Sequence, residues 1–237
     1  MAGQPSIGGA VGHIDSKDTA DTSYLIATLE NVTNSGDVLA DMNYTTNSNI
    51  YIVGAVGRTW GSATGVTNSG NVSLTGKSTK NNTNVMGCIG YGKAVSNLTN
   101  SGIVSCSSQN IKTLRIAGCA GYPSSTTNAT NTGKVSYSGK ATANVSISGV
   151  VQSGGAISNC HNSGTLEFDG EIATSSSLFM SGVATEYTSM SGVTNTGTLH
   201  CKKTLADVSK AYVGGIVAKE TVAISNARSY CELIMLG

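Results

Sequence analysis

Apolar residues along this chain come in short alternating runs, and the runs return at a fixed interval. Written in rows of that interval, the chain shows two apolar columns around an asparagine. Two residues before it stand Val32, Val66, Leu98, Ala129, Cys160, Val193 and Ile224, and four residues after it stand Val38, Val72, Val104, Val135, Leu166, Leu199 and Tyr230. Thr33, Thr67, Thr99, Thr130, His161 and Thr194 take the opposite face just before the asparagine. Alternation with period two is what a half-buried strand requires, so each row predicts short strands separated by turns.

The asparagine opens the tripeptide Asn-Ser/Thr-Gly at Asn34, Asn68, Asn100, Asn131, Asn162 and Asn195, with steps of 34, 32, 31, 31 and 33 residues and a degraded seventh copy at Asn226. A second element precedes it, an apolar residue followed two positions later by glycine: Ile7 and Gly9, Ile52 and Gly54, Val85 and Gly87, Ile116 and Gly118, Ile147 and Gly149, Met180 and Gly182, Val213 and Gly215. From Gly54 onward this glycine precedes the asparagine by 14 and then 13 residues; in the first row the gap is 25, the excess being an inserted loop at 13–24. Two elements locked in register at such a period predict a solenoid whose rows bury one another.

Strand and turn repeating without helical segments predict an all-β fold, a right-handed parallel β-helix of about seven coils of 31–33 residues. It forms a single domain over 1–237, with its repeat region at 6–230. Asn34, Asn68, Asn100, Asn131, Asn162, Asn195 and Asn226 are expected to form a ladder of side-chain amides from coil to coil. The glycine two residues on is expected at positive φ. Open ends of a solenoid expose unpaired backbone, and no capping segment is visible, so the chain is expected to be part of a larger protein or to pack end to end on another chain.

Composition narrows the function classes. Thirty glycines, two prolines, one tryptophan and 11% charged residues suit turns and small or β-branched side chains more than helices. The formal net charge of +1 comes without basic runs, which argues against nucleic acid, and no apolar stretch is long enough to insert in a membrane. Cys88 and Cys119 share one column and would lie about one interstrand spacing apart, which leaves both free thiols and a disulfide open. No spacing suggests zinc.

The segments Gly155-Ala-Ile-Ser-Asn-Cys-His-Asn-Ser-Gly-Thr-Leu166 and Tyr212-Val-Gly-Gly-Ile-Val217 resemble the GLUG-type repeats of bacterial surface proteins. The resemblance runs through most of the repeat region. In the middle coils the first glycine of that family's Val-Gly-Gly element is replaced by Val53, Met86, Ala117, Ser148 or Ser181. The family occurs in adhesin-like, exported proteins, notably of Bacteroidetes. The resemblance therefore implies an extracellular or bacterial cell-surface location, and it brings no catalytic residues.

Few residues stand out as chemistry. Trp60 and Arg58, with Tyr51 nearby, suggest a patch on which a sugar ring stacks. Glu167, Asp169 and Glu171 alternate along one strand and form the densest acidic group; paired carboxylates serve acid–base chemistry or calcium, but Leu166 and Phe168 between them also describe an ordinary solvated strand. Asp15, Asp18 and Asp21 in the inserted loop are weak calcium candidates without the calcium-loop pattern. The reading is a non-catalytic, adhesin-like β-helix, spacer and binding surface for a glycan or a host or cell-surface protein. Its alternatives are a polysaccharide-degrading β-helix enzyme, lyase or glycoside hydrolase, and a purely structural stalk.

Overall fold

The computed structural model describes residues 5–14, 28–44, 48–78, 82–203, 205, 208–219 and 223–236. Every regular element among them is a β-strand, and the strands wind as a parallel β-helix. A first sheet stacks seven strands: Ser6–Gly8, Ile50–Val53, Asn82–Met86, Thr113–Ala117, Val145–Ser148, Ser177–Ser181 and Lys210–Gly214. A second follows the bend after the recurring glycine and includes the 12-residue strands Ile89–Asn100 and Ala120–Asn131. A third runs from Val38–Tyr44 through Val104–Cys106 to Leu233–Met235.

The predicted columns coincide with the pairing register. Val72, Val104, Val135, Leu166 and Leu199 pair in succession, as do Asn68, Asn100, Asn131, Asn162 and Asn195. Asn34, Asn68, Asn100, Asn131 and Asn162 each donate Nδ2–H to Oδ1 of the next asparagine at 2.8 Å. The same amide also donates to the carbonyl two residues on, as Asn131 does to Gly133 at 2.9 Å. Both amide protons and the oxygen are thereby satisfied although the side chains are buried, which is the condition for a polar group to sit inside at all.

This ladder explains the fixed distance between the two sequence elements. A Cβ added to Gly118 would lie 2.3 Å from Cγ of Asn131 and 2.2 Å from the Gly149 carbonyl oxygen, and the same closeness recurs at Gly54 with Asn68 and Gly87 with Asn100. Glycine and asparagine are two halves of one seam. It divides the interior: Ile52, Val85 and Ile116, before the glycine, pack with Val72, Val104 and Val135, after the asparagine. Val56, Ile89 and Ala120, after the glycine, pack with Val66, Leu98 and Ala129, before the asparagine.

Three expectations change. The glycine two residues after the ladder asparagine is absent from the positive-φ residues. It is required for another reason: a Cβ at Gly133 would lie 2.0 Å from the carbonyl oxygen of Gly102 in the coil before. The positive φ sits three residues before the ladder instead, at Asn31, Gly65, Asn97, Asn128, Asn159, Gly192 and Asn226. Asn226 therefore belongs to this second column, and the register sets Ser229 against Asn195. For the same reason Ile224 pairs with Met190 rather than Val193, and Leu233, not Tyr230, continues the column of Leu199. The seventh copy is offset by three residues, a shift the degraded sequence conceals.

Cys88, Cys106, Cys119, Cys160 and Cys201 are buried free thiols. Burial pushes the Cys106 thiol up to about 12 and that of Cys160 to about 11.

Candidate functional site

Where the first sheet bends into the second, two outward columns face each other along the rod. Counting from the recurring glycine, one column lies three residues before it and the other four residues after. The first reads Tyr51, Asn84, Arg115, Ser146, Phe179 and Tyr212 in direct pairing succession. The second begins His13, Arg58, Tyr91 and Tyr122 and continues through Ser153 to Glu186. The floor between them is the residue just before the glycine: Val53, Met86, Ala117, Ser148 and Ser181, the positions that depart from the double glycine. Tyr51, Val53, Met86 and Ala117, with Tyr122 against them, form an apolar cluster separate from the two interior ones.

The lower half of this groove is aromatic and cationic. Arg58 holds its guanidinium over three rings, 5.5 Å from the centroid of Tyr51, 5.5 Å from Trp60 and 5.3 Å from Tyr91. Trp60 meets Tyr91 edge to face at 5.2 Å. Two coils on from Arg58, Arg115 lies 5.6 Å from the Tyr122 ring, and the Tyr122 hydroxyl donates to Oδ1 of Asn84 at 3.2 Å, while the Asn84 Nδ2 donates to the Ile50 carbonyl at 2.9 Å. Gly90 makes room for this packing, since a Cβ there would lie 2.9 Å from the Tyr51 ring. Burial raises the Tyr51 and Tyr122 hydroxyls above their usual range against the opposing pull of nearby arginines, so both stay neutral donors. A depression of about 310 Å³ opens here, lined by Asn49, Tyr51, Asn82, Asn84, Tyr91, Arg115 and Tyr122.

The upper half is hydroxylic. Ser148 bonds Thr185 at 2.7 Å, Gln152 donates to Ser146 at 2.6 Å, and Ser181 bonds Ser148 at 3.2 Å, a buried network that replaces the apolar floor. Above it Glu186 pairs with Lys219 at 2.5 Å, and Phe179 stacks on Tyr212 at 5.2 Å with 4° between planes.

The structure thus brings Trp60, Arg58 and Tyr51 together as the sequence suggested and adds Tyr91, Tyr122, Arg115 and Asn84. Their signal was present in the rows: large side chains at two fixed offsets from a glycine whose neighbours are small.

The acidic trio does not gather. Glu167 lies in Leu166–Phe168 and Glu171 in the separate short strand Glu171–Ile172. Glu167 is held between Lys134 at 3.0 Å and Lys202 at 2.8 Å, Glu171 by Lys140 at 3.2 Å, and Asp169 lies 3.9 Å from Lys203. Burial pushes the Glu167 carboxyl up, but hydrogen bonds from the two lysines outweigh it and leave the carboxyl below its ordinary value. Asp15, Asp18 and Asp21 lie outside the described residues. Among the described residues no three His, Cys, Asp or Glu side chains gather as a metal site, and no helix is long and apolar enough to cross a membrane.

No family model, curated protein or solved structure matches this chain.

Proposed function

We propose that this chain is a non-catalytic, adhesin-like β-helix of the GLUG kind, exposed on the bacterial surface or secreted, which serves as a spacer and presents its longitudinal groove to a glycan. The observation that carries the reading is the run of Tyr51, Arg58, Trp60, Tyr91 and Tyr122 along one groove, with Asn82 and Asn49 at its margin. Aromatic faces stack on the apolar faces of sugar rings, and amides and guanidinium supply directional bonds to hydroxyls. A linear polymer laid along the rod meets equivalent positions at each coil, about 4.8 Å apart.

The test is a glycan array probed with the protein, followed by Trp60→Ala and Tyr91→Ala. Loss of signal in both variants, with thermal stability kept near that of the parent, supports the groove. No signal on any glycan favours the purely structural stalk. A glycoside hydrolase needs a carboxylate free to exchange a proton, whereas Glu167, Asp169 and Glu171 each face a lysine. Polysaccharide depolymerisation abolished by Glu167→Gln would overturn the non-catalytic reading.

A further inference from the structure

Resting on the groove reading above, we infer that the coil of Ser146 and Ser153 forms a subsite for one neutral sugar residue with free hydroxyls, recognised by a preset ring of hydrogen bonds. Both walls of the groove drop to serine in this coil. In one wall Ser146 follows Tyr51, Asn84 and Arg115 and precedes Phe179. In the other Ser153 follows Arg58, Tyr91 and Tyr122 and precedes Glu186. The gap is a notch of about 240 Å³ whose lining includes Arg115, Ser146, Gln152, Phe179, Thr185 and Glu186. That is smaller than the pockets drug-sized ligands fill and suits a single ring. The chemistry beside the floor changes at the same place: Gly57, Gly90 and Gly121 of the lower coils give way to Gln152 and Thr185.

Gln152, 2% exposed, fixes the direction of the ring. Its Nε2 donates to Ser146 Oγ at 2.6 Å, and its Oε1 accepts from Ser148 at 3.3 Å. Between those serines Thr185 Oγ1 lies 3.0 Å from Ser146 Oγ and 2.7 Å from Ser148 Oγ. With the two ends of the amide fixed, one order gives every hydroxyl an acceptor within the ring: Ser146 donates to Thr185, and Thr185 to Ser148. Ser148 also accepts from Ser181 at 3.2 Å, which occupies its second lone pair. Among the members that line the notch, one lone pair is left on Ser146, one on Thr185, and one N–H on Gln152. Two acceptors and one donor held in place call for groups that both give and take a proton, as sugar hydroxyls do. A carboxylate has no proton to give and would meet Glu186 in the same lining. Phe179, stacked on Tyr212, supplies an apolar surface for the C–H face of the ring.

The experiment titrates the full chain by calorimetry with cellohexaose, β-1,4-mannohexaose and β-1,4-galactohexaose, with the fully O-methylated form of each, which keeps the ring but has no proton to donate, and with oligogalacturonate. At least one neutral sugar is expected to bind, and its methylated form and the acid to bind about tenfold or more weakly. Ser146→Ala, which removes one lone pair and opens the ring, and Phe179→Ala, outside the ring and half-buried, are each expected to weaken binding about tenfold. Should Ser146→Ala fail to fold, Phe179→Ala carries the test. Lys140→Gln, on another face, is expected to leave binding unchanged. Equal affinity for the methylated sugar, preference for the acid, or full affinity in either folded variant overturns the notch while the groove stands. No binding of any of these sugars also overturns the notch, and a blank glycan array beside it overturns the groove as well.

Discussion

Asn131 shows what a single buried amide can hold in place. It donates to the Gly133 carbonyl at 2.9 Å and to Oδ1 of Asn162 at 2.8 Å, and it accepts from Asn100 at 2.8 Å. Asn131→Asp keeps the shape but turns two donor positions into acceptors that face a carbonyl and an amide oxygen. A carboxylate there is expected to cost roughly 3–5 kcal/mol at neutral pH, the range for an uncompensated buried charge. Its folded pKa is raised, so stability is kept below the unfolded value near 4 and lost as pH rises through the folded one. Urea midpoints of parent and variant should approach each other at acid pH and diverge toward pH 7; a constant gap would mean that charge is not the cause. The thiols follow the same sign. Burial raises Cys106 and Cys160 above the ordinary thiol value, so their contribution is present below about pH 8.5 and fades as pH climbs toward 11 or 12. At pH 8 a thiol reagent is expected to label Cys231, the half-buried one, and to reach the five buried cysteines only on unfolding. Labelling of more than one thiol in the native protein would contradict the closed interior.

At the scale of the element, the seam is the unit that matters, because it joins two sheets and separates two apolar clusters at one contact. Gly118→Ala places a methyl carbon 2.2 Å from one backbone oxygen and 2.3 Å from a side chain that is itself bonded on both sides, so neither neighbour has room to move. We expect a loss above about 3 kcal/mol, at the severe end for a single methyl group, read as a lowered urea midpoint with unchanged slope. A change within experimental error would show that the seam can open. The spacing of Gly118 and Asn131 was legible in the sequence as a distance, and the structure turns that distance into a contact. The groove was legible only in part. Trp60, Arg58 and Tyr51 stood out by rarity, but Tyr91, Tyr122 and Arg115 needed the knowledge that three residues before and four residues after the glycine point into the same trough. The positive-φ column was hidden for a different reason: Asn97 and Asn128 resemble the ladder asparagines in type, and only backbone geometry tells a left-handed residue from a hydrogen-bonded one. For Glu167, Asp169 and Glu171 the alternation indicated a shared strand face, but it could not show the lysines that neighbouring coils bring to them.

At the scale of the whole molecule, a coil is stable in proportion to what lies on either side of it. Val104 pairs with Val72 on one side and Val135 on the other, and all three are fully buried. In the last coil Ile224, Leu233 and Met235 pair on one side only and remain 41%, 50% and 47% exposed. Stability in such a stack is close to a sum of coil and interface terms, so it should fall toward the one-sided end and not be shared evenly. Hydrogen exchange of the 237-residue chain is therefore expected to show the slowest amides around Val104 and Val135 and much faster ones over 224–236. The seam adds to the gradient, since Ser229 stands against Asn195 where the other coils carry an asparagine, and the amide ladder ends there. Replacing Ser229 by Asn would extend the ladder by one rung and is expected to slow exchange in the last coil alone. Uniform exchange along the chain, in parent and variant alike, would mean that the coils open together and that the ladder does not set their order.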